Sequence, residues 1–243
     1  MTPLTDEHLE RCPVVDGFRQ RGVEMTRTET FVDASFAFAV TLLVISIDSI
    51  PRSYDELIVA VKDAPAFGLS FVMLLLVWYA HWGWSRRYGM EDRPTIALSG
   101  LLVFVVLCYI YPLKMLASGF VHTMTGGRLA ANISITLSQL HVLFAVYGVG
   151  FVLICLTIVL LNLHAWRQRA ALRLDALERF DTKAEIGAWS ILGATGLLSV
   201  FVASVVPPTL FMWPGWIYAT LPFVMPVYGM RVNRIRRGLR APP

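Results

Sequence analysis

Six stretches of about 20 mostly apolar residues, spaced along a chain of 243, leave few folds open. They run roughly over Phe31 to Ile50, Pro65 to Trp84, Thr95 to Ser118, Ser138 to Leu161, Ile186 to Val206 and Phe211 to Met230. At 1.5 Å rise per residue, a helix of that length crosses a hydrocarbon core of about 30 Å. A helix also satisfies its own backbone hydrogen bonds where no water can. The spacing therefore predicts an all-α integral membrane protein of six transmembrane helices. Residues 1–26 form an amino-terminal segment, 27–230 the membrane domain and 231–243 a basic tail. Composition agrees, since 56% of the chain is hydrophobic and its mean hydropathy is +0.60. Soluble domains hold about 45–50% apolar residues. The sixth run carries Pro214, Pro222 and Pro226 and is predicted to be kinked. Residues 1–26 are polar and mixed in charge, unlike a signal peptide.

Basic residues give the orientation. Of 21 Lys and Arg, all but Arg52, Lys62, Lys114 and Arg128 fall in the amino-terminal segment, the second and fourth connections or the tail. By the positive-inside rule both termini are cytoplasmic, in a multi-pass protein of the cell membrane. The net charge of +4 is the sum of these loops, so it points to anionic lipid headgroups as partners and not to nucleic acid. Cys108 and Cys155 lie within apolar runs and Cys12 on the reducing side, so no disulfide framework is indicated. Asn132-Ile133-Ser134 matches a glycosylation sequon on the outer side. Residues 167–185 alternate charge with Leu172, Leu174, Leu177 and Phe180, which predicts an amphipathic helix or a continuation of the fourth span.

Within this topology one ionisable residue stands out. Asp33 sits at the edge of the first run, where a carboxylate needs a partner and is a functional hypothesis by default. With the first span starting on the cytoplasmic side, the second ending there and the third starting there, Asp33, His81 and Ser99 fall at a similar depth. Trp78, at i−3 from His81, lines the same side of the second helix. The residues alone leave two readings open. Either the cluster satisfies Asp33 inside the protein, with His81 as a suitable donor, or Asp33 and His81 cap helix ends in the headgroup region. Catalysis is not indicated. No nucleophile elbow is present, and His81, His122, His141 and His164 are scattered over different helices and depths, which gives no metal site.

The first two runs carry a more specific pattern. Arg27, Phe31, Asp33, Ala34, Phe36, Ala37, Ala39, Thr41, Leu42 and Leu43 fit a first helix of the form Arg, three residues, Phe-Ser-Asp and then an Ala-rich aliphatic run. Ser70, Phe71, Trp78 and His81 fit a second helix of the form Ser-Phe, six residues, Trp, two residues, His. Pro112 resembles the Pro that closes the third. In these features the chain resembles the transmembrane protein 175 family, lysosomal potassium channels in animals with shorter bacterial relatives. Val32 stands where the family motif has Ser, Phe38 where it mostly has Ile, and Ser99 with Gly100 and Leu101 where it has Asn.

The resemblance implies a single-repeat, bacterial-type channel, assembled as a homotetramer with the first helix lining a central pore. It also implies Phe38, Leu42 and Ile45 as the pore constriction, with the Thr41 hydroxyl on its flank, and Arg27, Phe31, Asp33, Trp78, His81 and Ser99 as a structural polar cluster. Taking about 100° per residue, Phe38, Leu42 and Ile45 share a face from which Asp33 points away. An apolar ring passes ions that stay hydrated or gates by dewetting, and K⁺ sheds water more readily than Na⁺. The expected function is a passive, potassium-preferring channel with K⁺ as permeant ion, no cofactor, no small-molecule substrate and no enzymatic chemistry. Alternatives are a non-conducting scaffold of the same fold, a proton-permeable channel, or a membrane enzyme or redox carrier. Tyr147-Gly148-Val149-Gly150 superficially resembles a carbonyl filter, but it lies within a continuous apolar span, where small residues for helix packing explain the glycines better. Trp82, Trp84, Trp213, Trp216 and Tyr218 read as interfacial belt residues. Asp48, Asp55 and Glu56 lie just outside the first span.

Overall fold

A Thr, Ser or Asp immediately before each long apolar stretch sets where its helix begins. The computed structural model describes residues 6–45, 52–129, 136–207, 210 and 213–240. In chain order these form α1 (Asp6–Arg11), β1 (Val14–Val15), β2 (Phe18–Arg19), α2 (Arg27–Ile45), α3 (Tyr54–Tyr88), α4 (Arg93–Met124), α5 (Leu137–Arg167), α6 (Ala176–Val205), α7 (Trp213–Tyr218) and α8 (Leu221–Arg240). Ser53, Asp92, Thr136 and Asp175 each accept a backbone N–H from the first turn of α3, α4, α5 and α6. Each thereby satisfies a donor that the helix leaves open. In α5 and α6 the bond is reciprocated by Gln139 and Glu178, a full capping box. Gly89 closes α3 in the left-handed region at φ 57°, its N–H donating to the Ser85 carbonyl.

Four helices, α3, α4, α5 and α6, are long and apolar enough to cross a membrane among the described residues. They hold 30 to 35 residues, about 45–52 Å at 1.5 Å each, so they extend beyond the apolar runs. The first run is helical from Arg27 to Ile45, and its remaining residues lie outside the described ones, as do Asp48 and Asn132-Ile133-Ser134. The sixth run is not one kinked helix. It divides at Ala219 and Thr220 into α7 and α8, and α8 runs on into the basic tail, because the Pro222 side chain suits a first turn better than a helix interior. Residues 167–185 correct the sequence reading too. The chain turns over 168–173, and 176–185 are the opening turns of α6, where the Asp175–Glu178 box restarts the helix.

One apolar core joins the four central helices. Val32, Phe36, Ala39 and Leu43 of α2 pack with Leu74 of α3, Leu102, Val106 and Ile110 of α4, and Ile154 and Ile158 of α5. Glycines bring α5 close to its neighbours. A Cβ at Gly150 would stand 2.5 Å from a ring carbon of Tyr109, and one at Gly148 would collide with Val200. The Tyr-Gly-Val-Gly stretch is thus a packing surface.

A second core lies at the basic end. Phe18, Trp84, Tyr88, Met90, Leu161, Ala165, Leu172 and Leu174 form it, so Trp84, at 3% exposure, is a core residue and not a belt residue. Asp16 and Gly17, at φ 52° and 83°, make the tight turn between β1 and β2. The segment that follows crosses the end of α3, where Gly22 N–H donates to the Arg86 carbonyl at 3.0 Å. A Cβ at Gly22 would meet the Ser85 carbonyl oxygen at 2.5 Å, so no larger residue fits there. Arg21 forms a two-pronged ion pair with Glu178 of α6, at 3.0 Å and 2.7 Å, with both side chains 1% exposed. Arg87 pairs with Glu185 at 2.9 Å, His164 with Asp92 at 2.7 Å and Arg236 of α8 with Asp181 at 2.8 Å. The amino-terminal hairpin, the ends of α3 and α5, the start of α6 and α8 are thereby fastened together.

Candidate pore-lining helix

Helix α2 opens on Thr26, whose hydroxyl oxygen accepts from the Glu29 N–H at 3.0 Å. Glu29 is buried, and Arg86 Nε stands 3.4 Å from its Oε1, an electrostatic contact without hydrogen-bond geometry. From there α2 has two unlike faces. Val32, Phe36, Ala39 and Leu43, at i, i+4, i+7 and i+11, are all 5% exposed or less. Opposite them Ala34, Phe38 and Thr41, at i, i+4 and i+7, form an uncovered stripe on which Phe38 is 55% exposed.

Thr41 Oγ1 donates to the Ala37 carbonyl at 3.1 Å. Its proton is therefore engaged with the helix, and its oxygen lone pairs remain free for a cation or water. Leu42 is half-buried against the core, on the flank of the stripe. The side chain of Ile45 lies outside the described residues.

The polar residues of the buried side meet in two separate bonds. The Trp78 indole N–H donates to Asp33 Oδ1 at 2.7 Å, tying α3 to α2. His81 Nε2 is 2.9 Å from Ser99 Oγ, tying α3 to α4, with His81 2% and Ser99 0% exposed. His81 is not the donor to Asp33, which corrects the sequence expectation. Three residues on a helix turn the side chain by about 60°, which suffices to direct Trp78 to α2 and His81 to α4. Arg27 and Phe31 stand apart, both exposed, with Phe31 at 59%. Among the described residues no group of three His, Cys, Asp or Glu side chains could hold a metal ion.

Sequence reasoning passed over a further buried pair. Lys114 Nζ lies 3.3 Å from Asp63 Oδ2, and Ser118 Oγ donates to Asp63 Oδ1 at 3.3 Å. Lys114 was visible as a lone charge inside the third apolar run, but Asp63 stood beside Lys62 ahead of the second run, and nothing in the spacing linked the two.

The family model described as endosomal/lysosomal potassium channel TMEM175 matches residues 27–110, which span α2, α3 and half of α4. A protein named potassium channel from Marivirga tractuosa is 34% identical over 233 residues, covering 91% of this chain and 93% of its own. The chain belongs to the TMEM175 family. Among solved TMEM175 structures, a variant of the potassium channel MtTMEM175, crystallised with a nanobody fusion protein, superposes with a TM-score of 0.79 at 31% identity. That match covers 91% of this chain and 99% of the other. A lysosomal potassium-selective TMEM175 homologue from Chamaesiphon minutus, at 21% identity and a TM-score of 0.54, shares the fold over 85% of this chain and 97% of its own.

The two bonds of the polar side predict distinct mutational behaviour. Trp78→Phe removes the indole donor to Asp33 and is expected to cost about 1–3 kcal/mol, the range for leaving a buried acceptor unsatisfied. In thermal unfolding of the detergent-solubilised protein, Asp33→Asn should couple more strongly to Trp78→Phe than to His81→Ala. Stronger coupling to His81 would return the imidazole to the role of donor.

Proposed function

We propose that this chain forms a homotetrameric, potassium-selective cation channel of the cell membrane, with α2 of each subunit around the central path. Phe38, Thr41, Leu42 and Ile45 make the constriction, conduction is passive, and no cofactor takes part. Each subunit crosses the membrane six times, with both termini in the cytoplasm, where most of its basic residues collect. Asp33 and Trp78 tie α2 to α3, His81 and Ser99 tie α3 to α4, and none of the four is part of the ion path.

The observation that carries this proposal is the uncovered stripe of Ala34, Phe38 and Thr41 on a helix whose other face is locked into the core. Such a stripe suits a subunit-to-axis surface. A single helix encloses no aqueous path, so conduction requires a closed symmetric ring. The names of the relatives support potassium as the ion.

Two measurements test it. Purified protein in proteoliposomes should pass K⁺ in a fluorescence-monitored flux assay, with Na⁺ passing more slowly. Mass measurement in detergent should give four subunits, and a purely monomeric protein would sink the proposal. The exposed Phe38 ring also favours one rival, a non-conducting scaffold in which four such rings plug the axis. Tetramers without K⁺ flux would establish that rival instead.

A further inference from the structure

Helices α6 and α8 do not close completely on one another. Between them lies a groove of about 390 Å³, lined by Ile191 of α6 and by Phe223, Val224, Val227, Tyr228 and Arg231 of α8. Five of these six are hydrophobic or aromatic, and the one charge lies toward the basic end. Tyr228 donates its hydroxyl proton to the Ala184 carbonyl at 2.9 Å, so its polar tip is satisfied within α6 and its ring faces the groove. Gly187 makes that seat possible, because a Cβ there would collide with the Tyr228 hydroxyl.

Below the groove the helices are pinned. Arg236 donates through Nε and Nη2 to Asp181 Oδ2 at 3.1 Å and 2.8 Å, and through Nη2 to the Asp16 carbonyl at 2.7 Å. Arg231 and Arg234 differ from it. Both are exposed, and among the described residues neither has a carboxylate partner. They follow Val224 and Val227 by seven residues each, so they extend the apolar stripe of α8 around the same side of the helix. The level is that of Lys183 and Ala184, just before the apolar run of α6 begins at Ile186.

An apolar slot lined at one end by Arg231, with Arg234 about one turn further along the same side of α8, matches one kind of molecule. We propose that the α6–α8 groove binds an anionic phospholipid, one acyl chain lying against Ile191, Val224 and Val227 and the headgroup phosphate held by Arg231 and Arg234. The acyl chain packs on the exposed apolar faces of Phe223, Val224 and Val227 as other lipid tails do, so preference for this lipid comes from its headgroup. Arginine presents a planar fork that matches phosphate oxygens. This site goes beyond conduction and depends only on α6 and α8 lying in a bilayer.

Native mass spectrometry of the wild-type protein in detergent, with added phosphatidylglycerol or phosphatidylcholine of equal chain length, tests the site and reports oligomeric state at once. A saturable phosphatidylglycerol adduct, one per subunit, is expected, with phosphatidylcholine retained far less. The pair Arg231→Gln and Arg234→Gln should lower phosphatidylglycerol affinity on the order of tenfold or more, from two charges near an anionic headgroup. Arg237→Gln, about 120° around the helix from Arg231 and 60° from Arg234, removes the same charge beside the slot and should weaken the adduct far less than the pair does. Val227→Trp fills the slot and should abolish the adduct with every arginine intact. Equal loss from Arg237→Gln, or an adduct indifferent to Val227→Trp, would reduce the site to diffuse surface charge and overturn the proposal. Adducts on monomers but none on oligomers would show a neighbouring subunit in the groove and overturn it equally. A non-conducting protein that passes these tests keeps the lipid site, so the two proposals fail separately.

Discussion

Arg21→Ala is expected to destabilise the protein by about 3–5 kcal/mol at neutral pH, the cost of leaving one member of a buried ion pair without the other. The guanidinium also donates from Nε to the Leu172 carbonyl at 2.9 Å, so its loss opens the turn between α5 and α6 as well. Burial alone would raise the Glu178 carboxyl. Hydrogen bonds from the Arg21 side chain and from the Arg19 and Asp175 N–H groups outweigh that and hold it below the usual carboxylate range. A depressed carboxyl stabilises the fold above its unfolded value, near 4.3, and loses that contribution as pH falls through the folded value. Without Arg21, burial is opposed only by the backbone donors, so Glu178 should take up its proton at higher pH. Thermal unfolding of the two proteins should therefore differ most near pH 7 and converge as pH falls below about 4. A constant difference across that range would mean that Arg21 acts through packing and not through its charge.

The second large effect concerns transport. Phe38→Ala should raise K⁺ flux on the order of tenfold and weaken the preference for K⁺ over Na⁺, because a wider apolar ring lowers the cost of keeping water around the ion. Phe38 is 55% exposed in the subunit, so the change should leave thermal stability nearly intact. Val40→Ala, at a half-buried position packed on the core, serves as the contrast, with little change in flux or selectivity. Phe36→Ala should do the reverse of Phe38→Ala. It empties a fully packed site at 5% exposure, costing about 3–5 kcal/mol without changing ion preference. Equal flux changes at Phe38 and Val40 would remove the ring assignment.

Much of the helical framework could be read from apolar run length and from the residues that cap each run, because both act locally. Thr136 with Gln139 and Asp175 with Glu178 announce α5 and α6 in four residues each. The hairpin was legible too, and was missed. Asp16-Gly17 between Val14-Val15 and Phe18 is a strong short-range turn signal, obscured by the mixed charge around it. What periodicity could not supply was partner choice. Depth along the spans brought Asp33, Trp78, His81 and Ser99 together, yet which donor met which acceptor depended on a rotation of about 60° around α3. Similarly, Trp84 and Trp82 read alike as belt residues, and only the tertiary core of Phe18, Tyr88, Leu161, Leu172 and Leu174 around Trp84 sets it apart. On α2 the sequence expectation was a stripe of Phe38, Leu42 and Ile45 with Thr41 on its flank, whereas Leu42 packs against the core and the Ile45 side chain lies outside the described residues. The uncovered stripe centres on Phe38 and Thr41, with Leu42 at the flank.

The ion pair at the basic end also sets a schedule. Arg21 and Glu178 are separated by 157 positions, so one is made long before the other. At about 5–20 residues per second, the ribosome takes roughly 8–30 s to cover that distance. Throughout that interval α2, α3, α4 and α5 emerge while the hairpin has no α6 to dock on. Its arginine must wait in water, on the side of the membrane where the α5–α6 turn will appear. A hairpin that strayed to the other side in those seconds would have to carry a guanidinium back through lipid to finish folding, so a segment made before α2 is among the last to find its place.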